Sequence, residues 1–410
     1  MEFSHISLTV FVVLISFVFA AKTHSIYGKT TNVFKQDEDI ELESQLKTLN
    51  KKPVKTIMTN YGDTVDCIDI YKQPAFDHPL LKHHKIRMVP SFIIEETTSK
   101  NISSPIFRGS IIDIGFQDER CPPGTVPIRR TKKEDLVNAQ SLSRKTNRIH
   151  TNRYSPSPIN HHFVSVEEFG QAKTYFGGAA LMSVHRLKLN YNQFSTVQIW
   201  IENGPVEEIN SIEFGWLTYP ALFGDNNSRL FGYWTVDGHK QTGCFNVLCP
   251  GFVQVNEEVL LGGVLEHTSV YGKQASEFPI RVYRDAQTGD WWLVTNVLVG
   301  YWPKEIFTHL ASNASNIRYG GTTGEEPQTD AGPMGNGYLP QLQDYTKTAY
   351  MRKMKYINDK EQLVNINPDG AQTKHDTISD CYNLLFAGNL GEDWETTMTF
   401  GGPGGQYCTS

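Results

Sequence analysis

Residues 211–238 read SIEFGWLTYPALFGDNNSRLFGYWTVDG, and this stretch decides the fold. Every second residue from Ile212 to Trp216 is large and apolar, which is the period of a β-strand with one buried face. Residues 230–236 alternate in the same way and lead into Asp-Gly at 237–238, a dipeptide typical of hairpin turns. The stretch therefore predicts two neighbouring antiparallel strands.

The same pattern extends outward in both directions. Residues 197–201 alternate before it, and residues 280–301 hold further apolar alternation around the Gln-Thr-Gly-Asp turn at 287–290. One helix is predicted to begin at Pro303, because proline is favoured at a first helical position and apolar residues follow at helical spacing. Many short strands with glycine turns and one helix predict a mainly β fold, an antiparallel β-sandwich.

Length and composition set the class of protein. The chain has 410 residues, of which 39% are hydrophobic and 20% charged, which suits a globular protein of two or three folding units. Its 38 basic and 44 acidic residues give a net charge of -6. Nucleic-acid and anionic-membrane binders usually carry a basic excess, so neither partner is expected.

An apolar run from Ile6 to Ala20 has the length of a signal-peptide core. We expect residues 1–20 to be a signal peptide cleaved after Ala20; the alternative is a buried apolar element. Secretion to the extracellular space or cell wall follows from the first interpretation, with no membrane attachment after removal of the signal.

Cysteine usage points to the same oxidising compartment. An even number of cysteines after a signal peptide indicates disulfides, and their positions favour three local pairs. The pairs are Cys67–Cys121, Cys244–Cys249 and Cys381–Cys408. No second pair with zinc-ligand spacing accompanies Cys244 and Cys249, so no metal and no cofactor are expected. Asn-x-Ser glycosylation sequons begin at Asn101, Asn226 and Asn313.

Residues 129–153 differ in character from the rest of the chain. They hold eight basic residues against Glu134 and Asp135, with few large apolar side chains. Such a segment buries too little surface to offset its chain entropy, and exposed linkers are where processing proteases cut. We therefore predict a basic processing linker over 129–160; the alternative is a solvated loop that is never cleaved.

Glu213 is the carboxylate that stands out. Alternation places it on the strand face opposite Phe214 and Trp216, beside the open space left by Gly215. In a curved sheet that face can form a cleft, where desolvation raises a carboxyl pKa toward acid–base use. The alternative is a solvated glutamate on an exposed sheet face. No serine-nucleophile elbow, metalloprotease motif, phosphate loop or dinucleotide fingerprint is present.

Several longer strings resemble the neprosin family of plant secreted proteins. They comprise the stretch at 211–255, GDWWL at 289–293, VGYWP at 299–303 and FGGPG at 400–404. The front of the chain resembles the family's activation peptide, through DCIDIYKQPAFDHPLL at 66–81 and CPPGTVPIRR at 121–130.

The resemblance implies a glutamic peptidase of prolyl endopeptidase type, made as a zymogen. Its implied organisation is a signal peptide over 1–20, a small α+β activation peptide over 21–128, the linker over 129–160 and a β-sandwich domain over 161–410. The activation peptide is expected to cover the cleft until the linker is cut.

Two catalytic glutamates face each other in the family, and Glu213 matches the first. The second falls in a Gly-Gly-Glu string, where this chain has Thr322, whose hydroxyl exchanges no proton near neutral or acidic pH. Glu325 and Glu326 are weak substitute candidates three and four residues on.

Two functions follow as hypotheses. The first is a glutamic peptidase precursor whose activity is impaired by Thr322, acting on proline-containing peptides or proteins after a processing protease cuts the linker. The second is a non-catalytic extracellular binder of proline-rich peptides or cell-wall glycoproteins. Aromatic rings suit proline, and the candidate substrate-binding residues are Trp216, Tyr233 and Trp234, with Trp292 and Trp302 as further cleft aromatics.

Overall fold

The computed structural model describes residues 39–92, 110–111, 120–143, 159–168, 174–240, 242–391, 393–406 and 408. The predicted signal peptide, Asn101 and residues 144–158 of the predicted linker lie outside the described residues. The described residues divide into two compact units between Thr48 and Leu49. Among the described helices, none has the length and apolar content of a membrane span.

The described parts of the chain contain twenty strands and three α-helices, together with short 3-10 turns and loops. The helices are α1 (39–49), α2 (Lys133–Ser143) and α3 (Pro220–Phe223). The strands are β1 (Lys55–Met58), β2 (Thr64–Asp69), β3 (Ser110–Ile111), β4 (Thr125–Arg129), β5 (Asn160–Glu168), β6 (Gly177–Ser183), β7 (Phe194–Asn203), β8 (Asn210–Thr218), β9 (Arg229–Thr235), β10 (Cys244–Phe245), β11 (Val253–Gln254), β12 (Ser276–Arg284), β13 (Trp291–Val294), β14 (Leu298–Trp302), β15 (Asn316–Glu325), β16 (Ala349–Ile357), β17 (Leu363–Asn365), β18 (Ala371–His375), β19 (Asn383–Asn389) and β20 (Thr396–Gly401).

These strands form three sheets. A seven-stranded sheet has the order β10-β9-β8-β7-β15-β5-β18, and a ten-stranded sheet has the path β11-β14-β13-β12-β6-β16-β20-β19, with β17 on β16 and β3 on β12. Every described pairing is antiparallel except that of β3 with β12. The third sheet, β1-β2-β4, lies in the front segment, which we define as residues 49–92 and 120–143.

The hydrophobic core lies between the two large sheets. Phe214 and Trp216 of β8 belong to one buried cluster with Phe278 and Ile280 of β12. Alternation along β8 explains this, since every second side chain of a strand points to the same face. The predicted mainly β, antiparallel sandwich is confirmed, and the face of the seven-stranded sheet opposite the core remains free to form a site.

The predicted helix after Pro303 is wrong. Only Lys304–Ile306 form a single 3-10 turn, and Phe307 is already extended. The side chain of Asn210 explains the change, because its Oδ1 accepts from the backbone N–H groups of Thr308, His309 and Leu310 at 2.9, 2.8 and 3.2 Å. These N–H groups would otherwise bond within a helix.

All three expected disulfides, Cys67–Cys121, Cys244–Cys249 and Cys381–Cys408, are present. Asn226 and Asn313, the described sequon residues, are partly exposed.

The start of the predicted linker has regular structure. Arg129 ends β4 and pairs with Asp63 and Asp135, Arg130 pairs with Asp66, and α2 follows. Arg129 and Arg130 therefore form ion pairs within the front segment.

Candidate active site

A cleft lies on the outer face of the seven-stranded sheet, with a cavity volume of about 310 Å³. Strand register builds it from β8, β7 and β15, because residues paired directly across antiparallel strands share a face. Glu213 lies opposite Trp200, and Thr322 lies opposite Thr196. Glu213 and Thr322 therefore stand on the same face, separated by β7, and both line the cleft.

Gln198 occupies the position between them. It pairs in register with Gly215 on one side and Gly320 on the other. A Cβ at Gly215 would stand 1.9 Å from the carbonyl oxygen of Val197, so the close approach of the strands requires glycine there. Gln198 Nε2 donates a short hydrogen bond to Glu213 Oε2. The cleft floor thus holds one carboxyl group with an amide donor fixed beside it.

Glu213 is partly buried, and its surroundings perturb its ionisation. Burial, followed by the negative charge of Glu202, raises the pKa of Glu213 to about 7. The positive charge of Arg318 and the hydrogen bonds from Gln198 and Ser211 act in the opposite direction. Because the raising effects prevail, Glu213 is protonated in acid and changes charge near neutral pH.

An ion pair between Arg318 and Glu202 lines the cleft beside Glu213. Arg318 donates to Glu202 through Nε at 2.9 Å and Nη2 at 2.5 Å, a two-pronged geometry that suits a guanidinium and a carboxylate. The guanidinium also lies 4.7 Å from the ring centre of Trp200, in a cation–π contact. Both oxygens of Glu202 are occupied by Arg318, with Asn316 as a further donor at 3.2 Å, so Glu202 influences Glu213 mainly through its charge.

Thr322 supplies no ionisable group at its position. Its backbone N–H donates to Thr196 Oγ1 at 3.2 Å, and that hydroxyl donates back to the Thr322 carbonyl at 3.3 Å. A threonine hydroxyl stays protonated throughout the neutral and acidic range. The structure therefore presents a carboxyl group and a hydroxyl on one floor rather than two carboxyl groups.

Glu325 and Glu326 are not brought into the cleft. Glu325 lies three residues after Thr322 on β15, and an odd separation turns it to the opposite face of the sheet. There it is 1% exposed, with Oε1 3.2 Å from His162 Nε2. Glu326 follows the end of the strand and is not among the cleft residues.

Of the three aromatic candidates for substrate binding, only Tyr233 lines the cleft. It lies opposite Glu213 in register and contacts His239 through its hydroxyl at 2.9 Å from Nδ1. Trp216 and Trp234 face the core, and the Trp216 indole donates to the Ser183 carbonyl at 2.9 Å. Their assignment to the cleft is wrong, because their side chains lie on the core face of the sheet and the cleft is on the other face.

Trp292 and Trp302 are also buried away from the cleft, at 0% and 1% exposure.

The aromatic wall of the cleft instead comes from residues that the sequence reading missed. Beside Tyr233, it consists of Phe163, Phe194, Trp200, Phe231 and Phe245. The position of Trp200 could have been predicted from the sequence. Residues 197–201 alternate, and Trp200 lies on the face of the strand opposite Ile199 and Ile201. Within the described residues, no group of three or more His, Cys, Asp or Glu residues is arranged to hold a metal ion.

Comparison with protein-family models decides the relationship. The Neprosin model matches residues 191–403, which is more than half of the chain, and the Neprosin activation peptide model matches residues 56–173. The chain belongs to the neprosin family. It is a peptidase-like precursor in which an activation peptide, to which the front segment belongs, precedes a neprosin domain that supplies most of the cleft.

Solved structures show a weaker likeness. Scytalido-glutamic peptidase with a transition state analog inhibitor is 11% identical, with a TM-score of 0.33, over 59% of this chain and 98% of that chain. SCP-B, a member of the Eqolisin family of peptidases in complex with the tripeptide Ala-Ile-His, is also 11% identical, with a TM-score of 0.32 and the same coverage. Similarity at this level assigns no function to the neprosin chain.

Proposed function

We propose that this neprosin is a secreted glutamic-type peptidase precursor that works with one ionisable catalytic group, Glu213, and is therefore a weak enzyme. The observation that supports this is a carboxyl group with a pKa of about 7 on the floor of an aromatic cleft. Three disulfides accord with passage through an oxidising compartment. The proposed substrates are proline-containing peptides, whose rings suit the aromatic wall.

Glu213 performs the proton transfers in this proposal. In its ionised form it takes a proton from a water that attacks the scissile carbonyl, and it returns that proton to the leaving amine. Gln198, which already donates to Glu213, keeps the carboxyl group oriented toward the cleft. Because the base form appears only as pH rises through about 7, hydrolysis should increase between pH 5 and 8 rather than peak in acid.

Loss of a second carboxyl group explains why the activity should be weak. General acid–base assistance contributes roughly 10²–10⁴-fold to a rate. A hydroxyl at Thr322 supplies a hydrogen bond but no such assistance. The substitution Thr322→Glu should therefore raise turnover by roughly 10²-fold or more, and it should move the pH optimum toward acid, because two neighbouring carboxyl groups separate their pKa values.

The test uses purified protein cut in the linker and a fluorogenic proline-containing peptide, assayed from pH 4 to pH 8. Glu213→Gln should abolish hydrolysis, whereas Glu207→Gln, at an exposed carboxylate, should leave it unchanged. Equal residual activity in the Glu213→Gln variant and the unsubstituted protein would contradict the proposal.

A second candidate function is binding of proline-rich peptides without cleavage, and the hydroxyl at Thr322 together with the aromatic wall favours it. Calorimetric titration with a proline-rich peptide distinguishes the two. Binding without turnover in the natural chain, combined with a gain of hydrolysis in Thr322→Glu, identifies a binder built on an intact peptidase cleft. Measurable turnover that depends on Glu213 identifies the enzyme.

A further inference from the structure

The front segment and the neprosin domain share one hydrophobic core. Residues 49–410 form a single compact unit, so the division between compact units does not fall at the predicted processing linker. Ile68 and Val126 of the front segment, at 1% and 0% exposure, belong to the same buried cluster as Phe252 and Leu265 of the neprosin domain. The front segment is thus integrated into the core rather than laid over a finished surface.

A second contact covers an aromatic face of the ten-stranded sheet. Tyr283, Trp292 and Tyr301 lie on the side of β12, β13 and β14 that faces away from the sandwich core. All three are at most 1% exposed, and Ala75 and Phe76 of the front segment pack in the same cluster. Departure of the front segment would expose this aromatic face to water, which the hydrophobic effect opposes.

Polar contacts fix the front segment in register. Asp63 accepts from Arg229, a fully buried arginine of β9, at 2.7 Å. Gln73 forms a reciprocal pair with the backbone of Gln254, accepting from its N–H at 2.8 Å and donating to its carbonyl at 3.0 Å. Separation of the two parts would leave these buried groups without those partners, which is costly for a charge above all.

Two further hydrogen-bond contacts between the front segment and the neprosin domain lie closer to the surface. Arg87 donates to the buried carboxylate of Asp290 at 2.7 Å, and the His84 ring lies 2.8 Å from the Tyr301 hydroxyl. The attachment therefore extends from the strands of the front segment to the loop that contains His84 and Arg87.

No residue of the front segment is among those that line the cleft. The residues that line the cleft lie in the range matched by the Neprosin model, except His161 and Phe163 of β5, which lie in the range matched by the activation peptide model. The expected covering of the cleft is therefore not made by residues 49–92 or 120–143. No disulfide joins these ranges to the neprosin domain, since Cys67 pairs with Cys121 and the remaining pairs lie within the neprosin domain.

We propose that the front segment stays bound to the neprosin domain as a non-covalent subunit after the linker is cut, at neutral pH. The interaction surface is the face formed by Val253, Leu260, Trp292 and Tyr301 together with the Arg229 site, and its partner is the chain's own front segment. This inference is independent of whether the cleft hydrolyses peptides.

The experiment measures mass rather than activity. A recognition sequence for a sequence-specific protease is inserted between residues 144 and 158 of the full chain, which carries a C-terminal affinity tag. After complete cutting at pH 7.5, both fragments should be captured together and should elute from a sizing column at the mass of the uncut chain. Elution as two separate species under these conditions would overturn the proposal.

Matched variants test the basis of retention. Asp63→Asn removes the carboxylate that faces Arg229, and it should speed dissociation of the front segment by roughly 30-fold or more, as expected for truncating one partner of a buried charge pair. Asp69→Asn is the control, because the recorded partners of the Asp69 side chain, Lys72 and the backbone N–H of Tyr71, both belong to the front segment. Identical dissociation of the two variants would refute the role of the Arg229 contact.

Should the Asp63→Asn chain fail to fold, Arg87→Gln provides the same test at a partly exposed position. It should dissociate faster than the Asp69→Asn control, and dissociation at the rate of that control would again count against the proposal.

Discussion

The raised pKa of Glu213 predicts a pH-dependent gain in stability on substitution by glutamine. The pKa rises from the reference value of 4.5 to about 7 because the folded protein disfavours the charged form. A shift of this size corresponds to about 3 kcal/mol between the two protonation states. Glutamine has the shape of the protonated carboxyl group and can still accept the hydrogen bond from Gln198, so Glu213→Gln removes the cost of ionisation without removing volume.

The sign of the effect follows from proton linkage. A folded-state pKa above the unfolded value means that the folded protein retains its proton more strongly. The stability contributed by Glu213 is therefore complete below about pH 4.5 and is lost as pH rises through about 7. The variant and the unsubstituted protein should have similar stability at pH 4.5, and the variant should be about 3 kcal/mol more stable at pH 8.5.

Thermal unfolding followed by calorimetry between pH 4.5 and 8.5 measures this difference. With an unfolding entropy of about 2 cal/mol/K per residue, a gain of about 3 kcal/mol raises Tm by roughly 4 °C. Glu207→Gln serves as the control, because its exposed carboxylate should give a small change that does not depend on pH in this way. A Tm difference for Glu213→Gln that stays constant across the pH range, or a less stable variant at pH 8.5, would refute the desolvated setting of Glu213.

Three further perturbations test separate features of the structure. Arg318→Gln removes the positive charge that lowers the pKa of Glu213, so the midpoint of Glu213 titration, followed by NMR, should move to higher pH; a shift to lower pH would contradict this. Replacing Cys381 and Cys408 by serine opens a loop of 27 residues, and denaturant unfolding should show a loss of about 3–4 kcal/mol; an unchanged midpoint would show that this bridge is dispensable. Burial lowers the pKa of His84, so attachment of the cut front segment should be complete above about pH 6.5 and weaken as pH falls; sizing chromatography at pH 7.5 and 4.5 detects this, and equal retention would contradict it.

Local alternation was enough to predict the central strands. The sequence predicts which residues of β8 and β9 face the core, because each strand carries large apolar side chains on every second residue. The same alternation separates Glu213 from Trp216. The two residues are three positions apart on one strand, so their side chains lie on opposite faces of the sheet although they are close in sequence.

Strand β15 shows where sequence reasoning stops. Its stretch Gly320-Gly321-Thr322-Thr323-Gly324 has little apolar periodicity, so neither the strand nor the face of Glu325 was predictable. Its position follows from pairing with β7 and β5, which lie more than 100 residues away in the chain. Arg318 was missed for the same reason, because its partner Glu202 comes from a distant strand and only register places the two together.

The raised pKa of Glu213 does not depend on a second carboxyl group at position 322. The like charge that raises the pKa of Glu213 comes from Glu202 on the neighbouring strand β7, and not from the position of Thr322 on β15. Burial makes a larger contribution than this charge. Thr322 therefore supplies no proton-transfer group, while the cleft is neutral at Glu213 in acid and charged above about pH 7. A peptide bound beside Glu213 experiences that change of charge whether or not it is cut, so peptide affinity should depend on pH in the enzyme and in the binder alike.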